Sequence, residues 1–61
     1  MTEYECSAAI NGTQYDFLTL GAVTQSHAQS QFAKYLLEEE AAVLDLAEVV
    51  LYRRVDTGSM H

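Results

Sequence analysis

Cysteine occurs once in this 61-residue sequence, at Cys6, and a lone thiol excludes the intrachain disulfide framework that staples many small secreted domains. Basic residues are nearly as scarce, with three Lys and Arg against nine Asp and Glu, for a formal net charge of -6. Such a chain is repelled by nucleic acid, which excludes direct DNA or RNA binding as its task. No run approaches the roughly 18 consecutive apolar residues of a membrane-crossing helix. The opening Met1-Thr2-Glu3-Tyr4-Glu5 also lacks the basic start of a secretory signal. Together these absences predict a cytoplasmic protein without a membrane partner. Repeats, linkers and low-complexity segments are absent too, and the length leaves room for a single domain near the lower limit of independent folding.

The residues of catalysis are equally thin. Cys6 falls in the middle of an alternating stretch, on its apolar side, where a thiol is a small core residue and inert. His27 is the only histidine outside the last residues, and it reads as a surface or capping-turn residue rather than a general base. No Cys, His and carboxylate cluster has the convergence of a zinc site. Glu38-Glu39-Glu40 does not supply one, because successive helical side chains splay by about 100° around the axis. Gly12, Gly21 and Gly58 are too widely separated for a phosphate-binding loop. The expectation is a non-enzyme with no cofactor and no metal.

What the chain does contain is a clear order of elements. From Glu3 to Leu20, two alternating stretches flank Asn11-Gly12, the dipeptide that most readily supplies a two-residue type I′ turn. With Ile10 opposite Thr13, Ala8 faces Tyr15, Cys6 faces Phe17 and Tyr4 faces Thr19. Aromatic and aliphatic side chains then gather on one side, and Glu3, Glu5, Ser7, Gln14 and Asp16 on the other. Leu18 and Leu20 depart from that division, falling on the polar side.

After Gly21, Thr24-Gln25-Ser26 offers N-caps, with Ser26 and Gln29 at capping-box spacing. A helix follows, whose apolar stripe of Ala28, Phe32, Tyr35 and Leu36 belongs against the apolar side of the hairpin. Its end is expected between Glu40 and Leu44, with a second helical stretch through Leu46 as an alternative, so residues 41–47 are left open between helix and loop. From about Ala47, Glu48 to Val55 is β-branched or aromatic enough for a third strand. The predicted fold is α+β, a three-stranded antiparallel sheet with one helix packed on one face, in the order β-β-α-β. The compact domain is expected over residues 1–56, and residues 57–61 as a mobile C-terminal tail.

The acidic residues fall into two groups, Glu3, Glu5 and Asp16 on the outer sheet face, and Glu38, Glu39 and Glu40 with Asp45 and Glu48. Glu3 and Glu5, two apart on a strand and so roughly 6.7 Å apart, would present a regular row of negative charge. The glutamate triplet sits where the helix dipole is least welcoming to carboxylates. A solvated acidic face that serves only solubility is the plain alternative. Arg53 and Arg54, the only basic pair, are expected to pair with neighbouring carboxylates.

Tyr4-Glu5-Cys6 leading to Asn11-Gly12, followed by Gln31-Phe32-Ala33-Lys34-Tyr35-Leu36-Leu37 and Val49-Val50-Leu51-Tyr52, resembles the very small acidic proteins that bacteriophages encode against host defences, anti-CRISPR proteins being the best-known group. That resemblance implies a protein inhibitor of the host cytoplasm that binds a nucleic-acid-handling complex, such as a CRISPR effector, and occludes its DNA or RNA site with acidic surface standing in for phosphates. The partner-binding residues would be Glu3, Glu5, Asp16, Glu38, Glu39, Glu40, Asp45 and Glu48. The competing expectation is a small structural or regulatory subunit that acts through an apolar homodimer or partner interface, for which Leu18, Leu20, Val43, Leu44 and Leu46 are the candidates.

Overall fold

The computed structural model describes residues 2–56; the expected tail, 57–61, lies outside the described residues. The elements are β1 (Thr2–Ile10), β2 (Thr13–Leu18), α1 (Gln25–Glu39) and β3 (Val49–Asp56), with a single 3-10 turn at Leu44–Leu46. They form one antiparallel sheet in the order β2-β1-β3, with β1 in the centre.

Asn11 (φ 55°) and Gly12 (φ 83°) both take the left-handed backbone that the two-residue turn demands. The turn sets the β1–β2 pairing as expected, Ile10 opposite Thr13, Ala8 opposite Tyr15 and Cys6 opposite Phe17. The hairpin reaches one pair beyond β2, where Thr19 donates its N–H to the Tyr4 carbonyl at 3.0 Å and its buried hydroxyl accepts the Tyr4 N–H at 2.9 Å. On the other side of β1, Cys6 lies opposite Tyr52, Glu5 opposite Arg53 and Tyr4 opposite Arg54.

Cys6, Ala8 and Ile10 therefore point to the same face as Val50 and Tyr52, and α1 lies across that face. Ala28, Phe32 and Leu36 of the helix are fully buried there. Phe32 anchors the contact, stacked on Phe17 with 5.9 Å between ring centroids and edge-on to Tyr52 at 6.5 Å. Burying a phenylalanine in this way contributes roughly 1.5–3 kcal/mol. Tyr35, fourth in the expected stripe, is half-buried and stacks on Phe17 at 4.7 Å. The segment before the helix is pinned by Gln31, whose side-chain amide both donates to the Leu20 carbonyl and accepts the Leu20 N–H, each at 3.2 Å.

Among the three candidate caps, Thr24 takes the role, with extended backbone and a hydroxyl that accepts the His27 N–H; a cap of this kind is worth about 1 kcal/mol. Ser26, favoured by the capping-box spacing, lies inside the first turn. The helix stops at Glu39, earlier than expected, because Ala41 turns into the left-handed region at φ 52°. The N–H groups of Glu40 and Ala42 then both donate to the Leu36 carbonyl, and Ala42 is buried on the core. Residues 41–47 are thus a loop with one 3-10 turn, not a second helix.

Candidate functional site

The two acidic groups fare differently in three dimensions. On the open face of the sheet no row of free charge forms. Glu5 receives Arg53 from the neighbouring strand, with both Nη2 (2.7 Å) and Nε (2.8 Å) on Oε1, so its charge is neutralised locally. Glu3, expected to be the next member of the row, is only 9% exposed. Asp16 is exposed, and its Oδ1 accepts from the Ser7 hydroxyl at 2.9 Å and the Gln14 amide at 3.3 Å. Strand pairing accounts for Glu5, because the antiparallel register puts an arginine directly opposite it.

The second group keeps its charge exposed. Glu38, Glu39, Glu40, Asp45 and Glu48 are all exposed, and no lysine or arginine interrupts the sequence from 38 to 48. The last turn of α1 carries no basic side chain, so the negative end of the helix dipole adds to the field of these carboxylates. Among the described residues, none of the five makes an ion pair. Glu40 accepts a 3.0 Å hydrogen bond from the Tyr35 hydroxyl. That bond, then burial, then the charges of Glu40 and Glu39 raise the Tyr35 pKa above its ordinary value.

Apolar surface accompanies the charge. Leu37, 63% exposed, lines a shallow hollow with Ala33, Val43, Leu44 and Asp45. An open cleft of about 580 Å³ separates the hairpin turn at Ile10, Asn11 and Thr13 from Ala41, Val43, Leu46 and Glu48. Val43 and Leu46 are exposed here, whereas Leu44 packs partly against the core. Leu37 escapes a sequence reading because it sits about 100° around the helix from Leu36, off the buried stripe. Its signal was simply a leucine where the pattern asked for a polar residue.

Two candidates remain, Cys6 and His27. Cys6 is buried, and burial pushes its thiol up to about 11, far from a nucleophilic thiolate at neutral pH. His27 is exposed, its Nε2 3.3 Å from the Gln31 amide nitrogen. Among the described residues, no group of three or more His, Cys, Asp and Glu is placed to hold a metal ion, and no helix is long and apolar enough to cross a membrane. No protein-family model, curated protein or solved structure matches the chain.

Proposed function

We propose that the chain is a non-enzymatic inhibitor whose acidic end occupies the basic groove of a host nucleic-acid-handling complex, in the manner of anti-CRISPR proteins. One observation carries this reading: Glu38, Glu39, Glu40, Asp45 and Glu48 are exposed and free of ion pairs among the described residues, the first three at the negative end of a helix. Carboxylates at that position each cost typically 0.3–1 kcal/mol, and their mutual repulsion adds to it. A basic partner reverses both terms, since lysines and arginines that normally hold phosphates would meet carboxylates instead. Leu37, Val43 and Leu46 beside them supply the apolar area that charge alone lacks. Glu3, Glu5 and Asp16 have no part in this contact.

The test is charge reversal of Glu38, Glu39 and Glu40 to lysine together. All three side chains are solvated, so the circular dichroism spectrum should stay native. Association with the nucleic-acid-handling complex that the native protein captures from bacterial lysate should be lost. The native association should weaken steeply as salt shortens the Debye length from about 10 Å at 0.1 M to about 3 Å at 1 M, and DNA or RNA should compete for the same partner. Capture that ignores both the reversal and the salt would refute the reading.

Exposure of Leu18, Leu20, Val43 and Leu46 favours a second reading, a small structural or regulatory subunit bound through apolar contacts. Salt-insensitive association that is abolished by Leu18→Glu and untouched by the triple reversal would select it.

A further inference from the structure

Gln31 ties the segment between the hairpin and the helix to α1. Its Oε1 accepts the Leu20 N–H and its Nε2 donates to the Leu20 carbonyl, each at 3.2 Å. This two-point pairing allows the amide one orientation, since a flip would set oxygen against oxygen and N–H against N–H. Among the described residues, the hydrogen bonds that reach residues 20–23 both come from this amide. The same segment carries Leu20 and Val23, 77% and 70% exposed, the two most exposed large apolar side chains among the described residues.

That orientation dictates the state of His27, one turn back on the helix. An amide nitrogen carries two hydrogens and accepts nothing. The Leu20 carbonyl engages one of them, and the imidazole Nε2 lies 3.3 Å from the same nitrogen, where it meets the other. Nε2 therefore holds a lone pair, and the ring is neutral with its proton on Nδ1. Protonating Nε2 replaces this bond with two opposed N–H groups. No neighbouring charge offsets the change. Residues 19–24 carry no ionisable side chain and the first helical turn no acid, while Lys34, the next ionisable residue along α1, is about two turns away. On the hairpin, Tyr4 beside Thr19 brings a phenol rather than a charge, and Glu3, Glu5 and Asp16 stand on the opposite, open face of the sheet. Among the described residues, no carboxylate forms an ion pair with the imidazole.

We infer that His27 and Gln31 form a pH-sensitive clamp, in which the neutral imidazole holds the Gln31 amide on Leu20 and its protonation loosens residues 20–23. The sign follows from the lone pair. The bond exists only while Nε2 is unprotonated, so the clamp is complete in mild alkali and weakens as pH falls through the region near about 6.5 where imidazoles ordinarily ionise. What the clamp controls is the presentation of Leu20 and Val23, and it does so whichever partner the acidic end engages.

The experiment is nuclear magnetic resonance on the full chain. At about pH 8 the ring-nitrogen shifts of His27 should report the Nδ1–H tautomer, and Gln31→Ala should return the ring to the Nε2–H tautomer that free histidine side chains favour in water. Solvent exchange of the Leu20 amide, corrected for the intrinsic pH dependence of exchange and referred to the Thr19 amide, should quicken by roughly two- to tenfold between about pH 8 and about pH 5, the worth of one hydrogen bond. His27→Ala keeps the backbone N–H that Thr24 caps, and should leave Leu20 at the faster exchange at both pH values. A native ring that carries its proton on Nε2 at pH 8, a corrected Leu20 exchange rate that ignores the imidazole titration, or a pH response that survives His27→Ala would each overturn the proposal.

Discussion

Truncating Phe32 to alanine removes the side chain that seats the helix on the sheet. Its ring is fully buried and contacts Phe17 face to face and Tyr52 edge-on. A Phe→Ala change at such a site costs about 3–5 kcal/mol, the lost transfer energy plus the cavity left behind. At about 0.05–0.15 kcal/mol per residue, a chain of 61 residues holds only about 3–9 kcal/mol in total. The substitution therefore removes about a third of the stability or more. In urea unfolding followed by far-ultraviolet circular dichroism, with a slope near 1 kcal/mol/M for so small a chain, the midpoint should fall by about 3 M or the folded baseline should vanish. Leu37→Ala, on the same helix but exposed, is the control and should shift the midpoint by less than about 0.5 M. Equal shifts for the two variants would mean that Phe32 is not the anchor and that the packing described above is wrong.

Two further outcomes follow from backbone strain and from ionisation. Ala41 holds φ 52°, a conformation that costs a non-glycine residue roughly 1–2 kcal/mol. After the larger chain entropy of glycine in the unfolded state is deducted, Ala41→Gly should stabilise the domain by about 0.5–1 kcal/mol and raise its thermal midpoint by a few degrees; a lower midpoint would contradict the left-handed assignment. The Cys6 thiol rises from 9.0 unfolded to about 11 in the fold, and the Tyr52 phenol is raised as well, each chiefly by burial. Between those values the folded state binds more protons than the unfolded one, so stability is full below pH 9 and declines as pH rises toward 11. The unfolding free energy should drop over that window by an amount on the order of 2 kcal/mol for Cys6, the urea midpoint falling with it, and Cys6→Ala should flatten part of the drop. A midpoint constant from pH 8 to 11 would show that the thiol is not buried.

The readable parts of the fold were those set by neighbours in sequence. Asn11-Gly12 accepts positive φ at both positions, so the turn and the β1–β2 register were legible together. Ala28, Phe32 and Leu36 repeat at the helical period, so the buried face was legible as well. The end of the helix was not, because Ala41 occupies a left-handed position that sequence ordinarily marks with glycine, and nothing local distinguishes it from the alanine that follows. The acidic triplet and its companions were visible as a charge run. That all five stay exposed and without ion pairs among the described residues was not, nor was the loss of the Glu3–Glu5 row.

By itself the sequence determined the hairpin, the apolar stripe, the third strand and a strongly negative balance, since each rests on turn chemistry, periodicity or composition within a few residues. Only the tertiary structure decided that β1 lies between β2 and β3, that Arg53 meets Glu5 across a ladder, and that β2 and β3 form the two edges of the sheet among the described residues. Those are pairings between residues far apart in the chain. Strand order settles them, and strand order depends on how β3 returns past the helix to β1, a long-range choice that no local pattern encodes.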